Sequence, residues 1–215
     1  TVPVTDINPQ GNSGVSNMTL LNDLILFSAD DGSSGKELWR TDGTIDGTRM
    51  VKEIYPGEKN GIPFSTFIKY KDHIYFQGEN EEFGRELWRT DGTEEGTELF
   101  LDINAGDDWS RPANYQLIGD YLYFFAFTEE GKKFFKTDGT AEGTIQVMAG
   151  DVNTSYLHAD GVIFYDTYSD SAGNQLWRII PGDSESFLVR GVPKGYRPNN
   201  IQLYNYTNKT LFFKA

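Results

Sequence analysis

Residues 37–48 read ELWRTDGTIDGT and residues 86–97 read ELWRTDGTEEGT, identical at ten of twelve positions. A dodecamer spelled twice marks a repeated structural unit, and its period decides the architecture. The Trp of the dodecamer recurs as Trp39, Trp88, Phe135 in KKFFKTDGTAEGT and Trp177 in NQLWRIIPGD, at steps of 49, 47 and 42. A second aromatic precedes it in LILF, HIYF, YLYF, GVIF and TLFF, as Phe27, Phe76, Phe124, Phe164 and Phe213. A third element follows the dodecamer in RMVKEIYPG and LFLDINAG, and VPVTDINPQG near the start of the sequence is another copy.

Each unit reads as four strands. Strand A is short, as in YQLIG (115–119). Strand B is nearly all apolar, as in YLYFFAF (121–127), which predicts burial on both faces. Strand C carries ELW, and strand D alternates, as in TELFLDI (97–103). Four short antiparallel strands in about 40–50 residues make a propeller blade. The fold class predicted is all-β: a β-propeller of four-stranded antiparallel blades, about four and a half of them. One domain over 1–215 is expected, with blades at about 14–57, 62–106, 111–150 and 153–193 and a partial one over 196–215. VPVTDI is then a strand D without A, B or C, and the last unit has A and B without C. Such half-blades predict a segment of a longer chain, or one covered by another protein.

The dodecamer itself reads as a packing anchor followed by a turn. Trp39, Trp88, Phe135 and Trp177 are large flat side chains placed once per unit, each able to bury on the order of 200 Å² between blades. Asp42, Asp91 and Asp138 can accept hydrogen bonds from backbone N–H groups two residues on. Gly43, Gly92 and Gly139 can take positive φ, and Thr44, Thr93 and Thr140 can satisfy a further backbone group.

These residues carry a resemblance. The sequence resembles the ELWxxDGT-repeat proteins, matching in full at Glu37–Thr44 and Glu86–Thr93 and by the DGT half alone at Asp138–Thr140. The resemblance implies an exported bacterial β-propeller, of a kind frequent among Bacteroidota, often part of a larger surface or secreted protein, with type IX secretion as the common route. It implies a Gram-negative cell surface or the medium as the location, and it brings no biochemical activity with it. The turns are also similar to the Asp-box turns of sialidase propellers, which are structural.

Composition narrows the partners. The formal net charge is −13 and there is no Cys. That field repels phosphate backbones and anionic membranes, so neither nucleic acid nor membrane insertion is expected. No apolar run approaches the ~18 residues of a spanning helix. The 32 Asp and Glu single out no acid–base pair, and there is neither a nucleophile elbow nor a phosphate-cradling loop. His73 and His158 are lone histidines in predicted strands. No cofactor is expected. Calcium is the one candidate, at Asp30 and Asp31 in the loop SADDGSSGKE, although the acidic positions do not recur from unit to unit. Arg40, Arg89 and Arg178 follow the Trp and alternate to the opposite strand face, where they can pair with nearby acids. Trp109 in GDDWSRP has no counterpart in the other units, and with Arg111 beside it forms a candidate partner surface. The reading is a non-catalytic platform binding another protein or the rest of a longer chain. A carbohydrate-binding module, or a propeller-type glycan-active enzyme, is the alternative, with polysaccharide as its ligand.

Overall fold

The computed structural model describes residues 4–63, 65–147, 152–159, 161–169, 173–180, 187–191, 202–207 and 210–214. Among them no helix is present, and so none long and apolar enough to cross a membrane. Four antiparallel sheets follow one another along the chain, each with its strands in sequence order. The first contains β1 (Ser16–Leu21), β2 (Leu24–Asp30), β3 (Lys36–Thr41) and β4 (Arg49–Lys52). The second contains β5 (Ile68–Tyr70), β6 (His73–Asn80), β7 (Gly84–Thr90) and β8 (Glu98–Leu101). The third contains β9 (Ala113–Ile118), β10 (Tyr121–Thr128), β11 (Gly131–Thr137) and β12 (Ile145–Gln146). The fourth contains β13 (Val152–Ala159), β14 (Val162–Ser169), β15 (Gly173–Ile179) and β16 (Phe187–Gly191). A hairpin of β17 (Gln202–Thr207) and β18 (Thr210–Lys214) completes the described chain. The fold is all-β, of the β-propeller type, built from four-stranded antiparallel blades.

The chain divides into two compact units, 1–115 and 116–215, with the boundary inside β9. In the first unit Leu21, Leu26, Leu38 and Val51 of the first sheet pack with Ile74, Phe76 and Trp88 of the second, and with Ile54, Ile62 and Phe67 of the connecting segment. Full burial of each such side chain contributes roughly 1.5–3 kcal/mol. Two cations of the first sheet reach across to main-chain carbonyls of the second. The guanidinium of Arg40 donates to Gly92 O at 2.7 Å, and Lys52 Nζ donates to Thr97 O at 2.8 Å. In the second unit Ile118, Tyr123, Phe125, Phe134 and Val147 pack with Ile163, Tyr165 and Ile179.

The central strands β2, β6 and β10 each carry a run of four or five buried residues, in keeping with their largely apolar sequence. Opposite them, Phe27 pairs with Trp39, Phe76 with Trp88 and Phe124 with Phe135. The fourth sheet is set one residue differently: Trp177 faces Tyr165, with the rings stacked 6.4 Å apart, and Phe164 faces Arg178. Equating Phe164 with the other three aromatics misses this shift, which the longer 13-residue gap to Trp177 reflects. Burial of the anchors is uneven. Trp88 is 5% and Phe135 8% exposed, whereas Trp39 and Trp177 are half-buried.

Two local expectations fail. Residues 4–7 of the VPVTDI segment form bends and irregular backbone, not a strand, and among the described residues no strand pairs with them. Val4, Thr5 and Ile7 instead line a recess together with Val15, Met18, Ile25 and Phe27. Strand D, expected over 97–103, runs only over Glu98–Leu101, because Ile103 N–H leaves the ladder to bond a buried carboxylate, that of Glu86.

Candidate functional site

The DGTxxGT turn is built the same way three times. Asp91 Oδ1 accepts Thr93 N at 2.8 Å and Thr93 Oγ1 at 2.7 Å, Thr93 Oγ1 accepts Gly96 N at 3.0 Å, and Thr97 Oγ1 donates to Thr93 O at 2.6 Å. Asp42 and Asp138 make the corresponding bonds to Thr44 and Thr140. The Thr44 hydroxyl and amide donors hold the Asp42 carboxyl below the usual carboxylate range. Gly43, Gly92 and Gly139 stand at φ of 90°, 90° and 95°, the left-handed region the turn requires. The second glycine has a different reason. A Cβ at Gly47, Gly96 or Gly143 would lie 1.9, 2.1 or 2.2 Å from the Asp carboxylate. Gly96→Ala is therefore expected to cost about 2–3 kcal/mol. Asp91→Ala should cost about 1–2 kcal/mol. The double variant should cost clearly less than their sum, since without the carboxylate the methyl fits. Urea midpoints of the three variants check this; additivity would rule the clash out.

The Glu that opens the dodecamer is fully buried, in the first unit, at both full copies. Glu37 accepts Ile54 N at 2.7 Å, Tyr55 N at 3.2 Å and Gly61 N at 2.9 Å. Glu86 accepts Ile103 N at 2.9 Å, Ser110 N at 3.0 Å and Ser110 Oγ at 2.5 Å. Each carboxylate thus clamps the loop that carries the chain from strand D to the next strand A. Sequence reasoning missed this role, although a signal was present: in ELW, alternation puts Glu on the same packed face as Trp. The third sheet has Lys133 at this position, itself buried, and the fourth has Gln175.

Burial pushes Glu37 up to about 8 and Glu86 up to about 7, against the pull of their N–H donors. A folded pKa above the unfolded one means the native state binds more protons across that interval. The resulting stability is fully present below the unfolded value of about 4.5 and is lost as pH rises through 7 and 8. The unfolding midpoint should fall between pH 5 and pH 8.5, and Glu37→Gln with Glu86→Gln should flatten that slope. An unchanged slope in the double variant would show the two carboxyls ionised throughout.

The remaining candidates separate into distinct roles. Asp31 accepts Ser33 N, Ser33 Oγ and Ser34 N, and Asp30 accepts Gly32 N, so local turn donors engage both carboxylates proposed for calcium. Among the described residues no group of three His, Asp or Glu is placed to hold a metal. Arg40 is spent on Gly92 O, Arg89 pairs with Glu98 at 2.5 Å, and Arg178 lies 5.9 Å over the Phe187 ring. His73 is partly buried, and burial followed by the charge of Arg89 lowers its pKa. His158 Nε2 is buried without a hydrogen-bond partner.

Trp109 and Arg111 do come together, and they recruit a third residue. Trp109 is 41% exposed at the surface of the first unit. The Arg85 guanidinium lies 4.4 Å and that of Arg111 4.8 Å from its ring centroid. Arg85 is ion-paired with Glu79, and the stack stands over Gly84. The backbone holds it rigidly: Ser110 and Arg111 donate to Arg85 O at 3.1 Å, Ser110 is clamped by Glu86, and Arg111 sits at φ 47°. Matching Ser110 to Gly61 through their Glu partners puts Asn60 and Ile62 at the same two places in the first sheet, which therefore lacks the stack.

No family model matches the chain, and no curated protein matches it. Solved structures similar to it include one from a study of two prolyl endopeptidases, at 12% identity and a TM-score of 0.47, covering 89% of this chain and 28% of that one. A GH74 xyloglucanase from Xanthomonas campestris is similar at 13% identity and a TM-score of 0.46, covering 84% of this chain and 30% of the other. A puromycin hydrolase variant is similar at 12% identity and a TM-score of 0.46, covering 86% and 30%. The chain spans less than a third of the length of each, and what those proteins act on remains a property of theirs.

Proposed function

We propose that this chain is a rigid binding platform whose partner, another protein, docks on the Trp109 stack. The observation that supports the reading is the division of labour among its residues. What repeats is consumed by the fold: Asp42, Asp91 and Asp138 in turns, Glu37 and Glu86 in loop clamps, Trp88 and Phe135 in packing. What does not repeat, Trp109 and Arg111, faces solvent, with Arg85 of β7 stacked on the Trp109 ring. Trp and Arg dominate interface hot spots, and a stack already ordered by its own cation–π contacts loses little freedom on binding. Export and display on a Gram-negative cell surface belong to the same proposal and rest on the ELWxxDGT resemblance alone. The test is photo-crosslinking in the native cell from position 111, with position 46 in an exposed turn as the control. A discrete adduct from 111, weakened by Trp109→Ala and absent from 46, is expected. Equal adducts from both positions, or none from 111, would overturn the reading.

A further inference from the structure

A recess of about 330 Å³ lies in the first unit, where β3 and β4 meet the DGTEEGT turn that follows β7. Small-molecule sites occupy about 300–1,000 Å³. Its walls carry opposite charges. Arg40 and Arg49 line it from the first sheet, Glu94 and Glu95 from the turn, and Met50 and Val51 add apolar carbon.

The two arginines are set against each other. Arg40 and Arg49 stand directly opposite in the β3–β4 ladder, and like charges so placed destabilise a sheet. The other three sheets avoid this. Arg89 faces Glu98 and pairs with it, Lys136 faces Ile145, and Arg178 faces Phe187. Gly92 O holds one N–H of Arg40, but a neutral oxygen leaves the charge uncompensated. The Arg49 guanidinium makes no hydrogen bond or ion pair among the described residues, and neither do the Glu94 and Glu95 carboxylates. Cations and carboxylates thus line one hollow without closing on each other.

We infer that this recess binds a zwitterion of the amino-acid class, a free amino acid or a short peptide, with its carboxylate on Arg49 beside Arg40 and its ammonium on Glu94 and Glu95. A guanidinium fork matches a carboxylate with two parallel N–H donors. The ligand carboxylate supplies against Arg40 the negative charge that Glu98 supplies against Arg89 in the second sheet. An anion alone would meet Glu94 and Glu95, and a cation alone would meet Arg40 and Arg49, so each leaves one wall unmatched. An apolar side chain has Met50 and Val51 to rest on. The inference is independent of the Trp109 reading and goes beyond it.

The experiment is saturation-transfer NMR and calorimetry on the full chain. The probes are alanine, leucine and the dipeptide leucyl-leucine, with N-acetyl-leucine and leucinamide as controls that each lack one of the two charges. At least one zwitterion should bind, and both blocked forms should bind at least about tenfold more weakly than leucine. Arg49 is exposed, so Arg49→Ala should leave folding intact and weaken binding about tenfold or more. Arg49→Glu should rebuild the cation–carboxylate pair of the second sheet, raise the urea midpoint and abolish binding. Glu94→Gln with Glu95→Gln should weaken leucine and strengthen N-acetyl-leucine, and Trp109→Ala should change neither. Leucyl-leucine binding more tightly than leucine identifies a short peptide as the source, and the reverse order a free amino acid. The inference is overturned if no zwitterion binds, if a blocked form binds as tightly as leucine, or if Arg49→Ala has no effect.

Discussion

Glu86→Ala is expected to lower the free energy of unfolding by about 3–5 kcal/mol. The substitution takes the shared acceptor from Ile103 N–H, Ser110 N–H and Ser110 O–H and leaves the two Ser110 groups only their second bonds, to Arg85 O at 3.1 and 3.3 Å, and each buried group left unsatisfied costs about 1–3 kcal/mol. Glu86→Gln keeps the volume and one acceptor but turns an NH₂ toward a donor, so its cost should be smaller, about 1–3 kcal/mol. Ser110→Ala should have a milder effect still, since the backbone donors remain. Urea unfolding with unchanged m-values checks the series. A loss under about 1 kcal/mol for Glu86→Ala would mean the loop from strand D to strand A holds its place without the carboxylate.

Trp88→Ala should cost about 3–5 kcal/mol, the range for deleting a buried aromatic. Trp39→Ala should cost less, about 1–3 kcal/mol, because Trp39 is only half-buried. Trp88→Phe should cost under about 1.5 kcal/mol. Phe135 already occupies the matching place in the third sheet, and the Trp88 indole N–H is buried without a partner, so phenylalanine removes an unsatisfied donor along with the lost volume. The order Trp88→Ala, Trp39→Ala, Trp88→Phe is the measurable claim. If the half-buried Trp39 proved the costlier loss, burial would not be what ranks these positions.

Blade architecture was legible because it is carried by period and by residue class. The apolar run at Tyr121–Phe127 reads as a strand covered on both faces, as Leu122 to Ala126 are, and DGTxxGT names its turn through residues whose local bonding is nearly independent of context. The clamping role of Glu37 and Glu86 was missed, since a charged residue is ordinarily exposed and the donors that compensate its burial lie 17 to 24 residues away in the chain. Of the surface candidate, Trp109 and Arg111 were visible as residues without a repeat, but Arg85 belongs to the repeated β7 and enters only because the loop folds back over it.

The links from Arg40 to Gly92 O and from Lys52 to Thr97 O end on peptide oxygens. A peptide oxygen is present whatever side chain stands there, and the turn that aims it is specified within seven residues. A newly duplicated copy of such a unit therefore brings its own socket and needs no matching change in its neighbour. Gene duplication could lengthen an array of this kind one copy at a time, with each addition joined on arrival, and the near-identical dodecamers at 37–48 and 86–97 are what a recent step of that growth would leave behind.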